Sequence, residues 1–269
     1  MTDLSPRLPE HTEETIHAFL KAHALYHGNE GAIVGLSGGI DSALVARLAR
    51  DALGPTRVLG VLLPDRALSR ALVTETEAYA HALGIASRTI EIDPVEEAYR
   101  SVLPEVRDRV TVGNTLARIR MTILYALARE GHRVVLGTGN KSEVLLGYFT
   151  KFGDGGVDVL PIGDLYKTQV RILAARLDLP RPIRERPPTA GLWEGQTDEG
   201  ELGAPYERLD RILYGIELGR TEEEIARQTG ESPAMVRGIV QRVTDMRHKR
   251  RLPPIPKLSD RTVGIDWSD

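Results

Sequence analysis

Short apolar runs alternate with helix-period patterns along most of the chain. Ile33, Val34 and Leu36 form an apolar run that ends in Ser37-Gly38-Gly39. Val45, Leu48, Ala49 and Ala52 then recur at i, i+3, i+4 and i+7 until Gly54-Pro55 stops the pattern. That order predicts a strand, a glycine turn, a helix and a helix stop. Val58 to Leu63 is apolar throughout, as expected of a strand buried on both faces of a parallel sheet. A helical stretch from Ser69 to Leu83 follows, and Arg88 to Ile92 alternates like a strand. Leu116, Ile119, Ile123 and Leu127 space out a further helix, and Val134 to Leu136 makes the next strand before Gly137-Thr138-Gly139. Strands alternating with helices at these lengths predict an α/β fold with a doubly wound parallel sheet. Glu14 to Tyr26 adds a helix at the front.

Beyond Gly153 the pattern changes. Tyr166 to Leu177 reads as helix, and Pro180 to Pro205 carries five prolines and four glycines, the composition of a long ordered loop, a mobile lid or a linker. Three helical patterns close the chain, near Tyr206 to Leu218, Thr221 to Thr229 and Ser232 to Arg247. The 269 residues suggest one large domain, with a core over 28–180, the proline-rich segment over 180–205 and a helical part over 206–257.

Composition narrows the chemistry. The chain has no cysteine, which removes disulfides, zinc–thiolate sites, iron–sulfur ligation and thiol nucleophiles. Lys and Arg number 35 against 38 Asp and Glu, so no global charge draws the protein to nucleic acid or to an anionic membrane. The polar start and the short apolar runs predict a soluble, cytoplasmic protein.

The segment Ser37 to Ser42, SGGIDS, falls at the carboxyl end of the first strand, where open parallel sheets bind ligands. Adjacent glycines let backbone N–H groups converge, and the helix that follows adds partial positive charge, which suits phosphate oxygens. A carboxylate beside phosphate repels it unless a cation intervenes, so Asp41 suggests Mg²⁺ held jointly with phosphate. Asp41 reads equally as an N-capping residue. No Gly-Lys-Ser/Thr and no G-x-G-x-x-G after a strand occurs, which excludes the Walker A loop and the usual dinucleotide fingerprint.

SGGIDS resembles the pyrophosphate loop of the ATP pyrophosphatase superfamily, whose members cleave ATP between the α and β phosphates on an adenine nucleotide alpha hydrolase-like fold. GTGNKSE at 137–143, the run GYFTKFGDGGVDVLPIGDLYK at 147–167, Pro188-Thr189-Ala190, DEGELG at 198–203 and RHKR at 247–250 resemble the NAD synthetases within it. The resemblance covers about Glu14 to Lys257. It implies amidation of deamido-NAD by ammonia with ATP, through an adenylated carboxylate, in a homodimer whose dinucleotide pocket spans the interface.

By that resemblance, Asp41 and Glu143 hold Mg²⁺. Gly35, Leu36, Ser37, Gly38, Gly39, Ile40, Asp41, Ser42, Thr138, Lys167 and Thr189 contact ATP, with Lys167 facing its phosphates. Asn114, Arg118, Lys151, Asp158, His248 and Lys249 hold deamido-NAD. Each residue taken singly has a plainer reading. Glu143 suits the first turn of a helix, Lys151 and Lys167 could be solvated, and Arg120, two residues from Arg118, faces elsewhere and would serve a structural ion pair. Many ammonia-using members read Gln at the position of Ile40 and Asp-His-Ala-Ala in place of Gly139 to Ser142. Here the chain resembles archaeal and glutamine-using forms.

Two other readings compete. Another ATP pyrophosphatase, such as a GMP-synthetase-like amidator, shares the first loop. Thr221 to Val243 also looks like a helix-turn-helix, followed by a basic cluster of Arg237, Arg242, Arg247, Lys249, Arg250 and Arg251. The near-neutral total charge argues against DNA binding. Chain length and the missing cysteine lead us to expect free ammonia as nitrogen donor for this chain, with a separate glutaminase still open.

Overall fold

The computed structural model describes residues 4–26, 28–189, 191, 193, 195–263 and 266. Among them, α1 (Thr12–Ala24) precedes β1 (Gly31–Gly35), α2 (Ile40–Leu53), β2 (Val58–Leu62), α3 (Arg70–Ala82) and β3 (Ala86–Thr89). Next come α4 (Asp93–Val102), α5 (Arg109–Glu130), β4 (Arg133–Leu136), α6 (Lys141–Leu146) and α7 (Lys167–Arg176). The series ends with α8 (Arg181–Glu185), α9 (Asp198–Leu202), α10 (Tyr206–Glu217), α11 (Glu222–Thr229), α12 (Pro233–Asp245) and a 3₁₀ turn (Met246–Lys249).

The four strands pair in parallel in the order β3-β2-β1-β4. Successive strand residues face opposite layers because the side-chain period is two. Ala32 and Val34 therefore join the core beneath α1, α2 and α7, while Ile33, Val61 and Val135 join the core beneath α5. The order turns around β1, from which the chain moves outward to β2 and β3 and later returns to β4 on the other side. Such a reversal opens a crevice at the carboxyl ends of β1 and β4.

The predicted strand over Arg88 to Ile92 is shifted. β3 begins at Ala86 and ends at Thr89, all four of its residues exposed at the sheet edge. The pairing nonetheless runs on, since the Ile90 N–H donates to Leu62 O at 2.9 Å and Ile92 N–H to Pro64 O at 3.0 Å. An exposed edge carries little apolar alternation, so the sequence pattern marked the inward-turning Ile90 and Ile92 instead. Helix α4 does carry apolar residues at helix spacing, Val95, Ala98, Tyr99 and Val102, but they are exposed. Its one buried residue is Glu96.

The C-terminal helices form a third core, in which Leu209, Ile212 and Leu213 of α10 pack with Ile225 of α11, and with Val236 and Ile239 of α12. Leu146 and Tyr166 join the same cluster, so this layer rests against α6 and the start of α7. The proline-rich segment contains α8 and α9. Ala190 of the Pro188-Thr189-Ala190 motif lies outside the described residues. No helix among the described residues is long and apolar enough to cross a membrane.

Candidate functional site

The loop after β1 is stapled by its own serines. Ser42 donates to Gly39 O at 3.0 Å and accepts the Ser37 N–H at 3.3 Å, and the two hydroxyls lie 3.1 Å apart. The Gly39 N–H donates to Ser37 Oγ at 3.3 Å. Ser42 is buried and donates inward, so its hydroxyl shapes the loop in this structure. Gly38 has φ +79°, the left-handed region, and a Cβ there would lie 2.6 Å from Leu72 Cδ1 and 2.8 Å from Thr76 Oγ1. We predict that Gly38→Ala costs at least about 1 kcal/mol from the backbone alone, with a raised KM for ATP. Urea melts and initial rates check this, and an unchanged melt would show that the turn relaxes without strain.

The N-cap of α2 is Gly39, and Asp41 is the second helical residue. The capping reading of Asp41 therefore falls away. Its carboxylate instead accepts from Asn140 Nδ2 at 3.0 Å on Oδ1 and from Lys167 Nζ on Oδ2. Lys167 Nζ also lies 3.5 Å from Glu143 Oε1. Asp41, in the first turn of α2 after β1, and Glu143, in α6 after β4, thus meet across the crevice around one ammonium. The Lys167 side chain is 3% exposed and each carboxylate 16%. Burial and the Asp41 carboxylate push the Glu143 carboxyl up to about 8, with Lys167 pulling the other way. Burial acts to lower Lys167, but Asp41 and Glu143 outweigh it and hold its ammonium charged.

The helix-start reading of Glu143 holds, and it leaves one carboxylate oxygen turned to the crevice. Its N–H donates to Asn140 Oδ1 and its Oε2 accepts the Asn140 N–H, each at 3.1 Å, which forms a capping box for α6. The box leaves Oε1 to face Lys167. The box also fixes Asn140, which is fully buried and ties the cap directly to Asp41.

A second cluster gathers residues from three parts of the chain. Thr150 Oγ1 donates to Asn114 Oδ1 at 2.6 Å, Arg118 Nε donates to Lys151 O at 3.2 Å, and Lys151 Nζ donates to His248 O at 3.2 Å. Arg118 is exposed. Arg120 donates to Leu63 O at 3.0 Å and pairs with Asp65 at 2.8 Å, the structural ion pair expected of it. Asp158 lies apart from this cluster. It accepts the Val135 N–H at 2.7 Å and the Tyr125 hydroxyl at 2.9 Å, on the rim of a cleft of about 470 Å³ at the amino ends of β1 and β4. Asn114, Arg118 and Tyr125 nevertheless share one face of α5, since spacings of four and seven residues return to the same side. Eleven residues of helix carry that face over about 16 Å.

Thr138 is half-buried in the turn after β4, beside the SGGIDS loop. Thr189 is exposed, and its Oγ1 accepts the Gly191 N–H at 3.0 Å.

Half of the C-terminal basic cluster, Arg242, Lys249 and Arg250, is engaged with the chain itself, while Arg237, Arg247 and Arg251 are exposed. Arg242 donates to Leu146 O at 3.0 Å, and Lys249 donates to Gly147 O and Phe149 O, both at 2.7 Å. Arg250 donates to Leu145 O at 2.7 Å and to Val144 O at 3.3 Å. These cations satisfy carbonyls at the end of α6 and in the turn after it. That occupation, together with the packing of α11 and α12 on α10, leaves the helix-turn-helix reading unsupported.

Three residues near the site gave no sequence signal of their own. Asp198 is buried, with Tyr206 donating to its Oδ2 at 3.2 Å, and burial raises its carboxyl. Arg186 of the proline-rich segment donates to Gly38 O in the loop and to Glu75 Oε2 at 2.7 Å. Asp210 of α10 is fully buried behind Lys167. The DEGELG motif did mark the neighbourhood of Asp198, but spacing could not say what it would touch.

Residues 12–253 match the family model described as NAD synthase. The chain is 46% identical to the NH(3)-dependent NAD(+) synthetase of Methanosarcina acetivorans, over 93% of this chain and 98% of the relative. Among solved structures it resembles NMN synthetase from Francisella tularensis, with a TM-score of 0.82, 34% identity, and coverage of 94% of this chain and 100% of that one. It also resembles NH3-dependent NAD synthetase from Campylobacter jejuni, with a TM-score of 0.78, 29% identity, and coverage of 96% and 100%. On the fold, the loop and the match along nearly its whole length, this chain belongs to the NAD synthase family.

Proposed function

We propose that the chain is an ammonia-dependent NAD synthetase, converting deamido-NAD, ATP and ammonia to NAD, AMP and pyrophosphate. The observation that carries this reading is the meeting of Asp41, Glu143 and Lys167 beside the stapled SGGIDS loop. A carboxylate is a poor electrophile. Its attack on the α-phosphorus of ATP expels pyrophosphate and yields a mixed anhydride, which ammonia then opens with AMP as leaving group. Charge builds on phosphoryl oxygens during the first step, and fixed donors and cations lower its cost. The loop's backbone N–H groups orient the departing pyrophosphate, and Lys167, whose ammonium is held charged, faces it. Gly35 to Ser42, Thr138 and Thr189 complete the ATP side.

Asp41 and Glu143 suit Mg²⁺. Both are hard oxygen donors, a cation already sits between them, and two carboxylates with phosphate and water make the usual Mg²⁺ shell. Asp41 and Glu143 would hold the ion, and it would supply charge neutralisation to the phosphates.

Asn114, Arg118, Lys151, His248 and, at the far end of the α5 face, Asp158 form the deamido-NAD side. A face about 16 Å long suits a dinucleotide better than a mononucleotide. Lys249 acts here by holding the turn that carries Lys151. We infer a homodimer sharing this pocket, supported by the exposure of Val110, Tyr125 and Phe152 around it. One synthetase domain accounts for the whole chain, working in the cytoplasm, where ATP is supplied.

One assay tests the reading. The protein is incubated with ATP, Mg²⁺ and ammonium or glutamine, and with deamido-NAD, nicotinic acid mononucleotide or xanthosine monophosphate. We expect NAD and AMP in equal amounts with ammonium and deamido-NAD, and little product with glutamine. The likeness to NMN synthetase makes the mononucleotide the informative competitor. Faster amidation of it would reassign the substrate, and ADP without AMP would overturn the family chemistry.

A further inference from the structure

We infer that Asp210 is a positioning residue that buckles the beginnings of α6 and α7 together and so sets Glu143 and Lys167 against Asp41. Asp210 lies on α10, outside the sheet layers, and is completely buried. Three donors converge on its carboxylate. Ser142 Oγ donates to Oδ1 at 2.5 Å, and Oδ2 accepts the Thr168 N–H at 2.9 Å and the Thr168 hydroxyl at 2.8 Å. The Ser142 hydroxyl in turn accepts the Lys167 N–H at 2.9 Å. The first two backbone N–H groups of α7 are thereby satisfied by a side chain of α6 and a side chain of α10.

The partners identify what is being held. Ser142 immediately precedes Glu143, and Thr168 immediately follows Lys167. A shift of either helix start would carry a functional group with it, and misplacement of about 1 Å can cost about 100-fold in rate. Seven residues on, and on the same face of α10, Glu217 repeats the arrangement. It accepts the Tyr166 hydroxyl at 2.5 Å and pairs with Lys141 at 2.9 Å. Two carboxylates of one helix thus grip the residues just before Glu143 and on either side of Lys167. A helix serving only as cover would need no buried anion there. Burial raises the Asp210 carboxyl while its donors pull the other way, so an apolar side chain would be the simpler filler.

The kinetic arm of the test rests on the synthetase reading, whereas an amide-exchange arm does not. Asp210→Asn, Ser142→Ala and their double variant are compared with Ile212→Val, a packing change in the same buried layer. We expect Asp210→Asn to lower kcat by about 10- to 100-fold, with KM for ATP and deamido-NAD within about twofold, and Ser142→Ala to lower it by several-fold. Because the two act as a unit, the double variant should be no worse than Asp210→Asn. In both single variants the Lys167 and Thr168 amides should exchange at least about tenfold faster, while Ile212→Val leaves kcat and those amides unchanged. Unchanged kcat in Ser142→Ala overturns the inference even if Asp210→Asn fails to fold, as do unaltered amides or an equal kcat loss in Ile212→Val. If the wild-type protein forms no NAD while the variants show the expected faster amide exchange, the synthetase reading fails and the buckle stands.

Discussion

Asp41→Asn and Glu143→Gln should each lower kcat by about 10²- to 10³-fold, the range for losing one preorganised group that stabilises transition-state charge. Each substitution keeps shape; Asp41→Asn removes a negative charge beside Lys167, and Glu143→Gln removes a carboxyl that burial and Asp41 push up to about 8 and that carries its charge only when ionised. The two are not equivalent, because Glu143 also closes the capping box of α6. A Gln at 143 can still accept the Asn140 N–H, so α6 should remain capped and the loss should be chemical. Asn at 41 keeps an oxygen for Asn140 Nδ2 but weakens the attraction for Lys167. Steady-state rates with saturating ATP and deamido-NAD measure both. Turnover within about threefold of wild type in either variant would make that carboxylate structural and would remove it from the Mg²⁺ shell.

Lys167→Met should separate stability from catalysis. The lysine is buried between two carboxylates, and removing one partner of a buried ion pair costs about 3–5 kcal/mol because the remaining charge is left uncompensated. The partial exposure of both carboxylates places the expectation at the lower end, about 3 kcal/mol. Mg²⁺ should recover much of that stability by supplying a cation to the same oxygens. It should not restore kcat, since the group facing the phosphates is gone. Denaturant melts with and without Mg²⁺, paired with initial rates, decide the matter. Full activity in the presence of Mg²⁺ would show that Lys167 serves only as a counter-ion.

Much of the fold was legible in the chain because buried parallel strands and amphipathic helices leave periodic traces. β1, β2 and β4 lie where the apolar runs predict, and α2, α3, α5, α7 and the three C-terminal helices follow their patterns to within a few residues, α5 extending further at its start. Where burial is absent, trace and structure part. β3 is an exposed edge, and α4 leaves its helix-spaced Val95, Tyr99 and Val102 exposed and buries only Glu96. The plainer readings of single residues were settled one by one. Arg120 is a structural pair, Glu143 is both cap and ligand candidate, and Asp41 caps nothing.

The SGGIDS turn, GTGNKSE and the run to Lys167 by themselves determined the family and named the charged groups that we propose perform its chemistry. Local sequence can do this because a phosphate loop and a helix cap are built from neighbouring residues. Only the tertiary structure decided that Lys167 bridges Asp41 and Glu143, that Arg242, Lys249 and Arg250 are engaged by the end of α6 and the turn after it, and that Asp158 stands apart at the far end of α5. It alone revealed Asp210, whose bond to Ser142 joins residues 68 apart. A contact across that separation imposes no period and no spacing on the chain. It exists only once the C-terminal helices have packed against α6 and the start of α7.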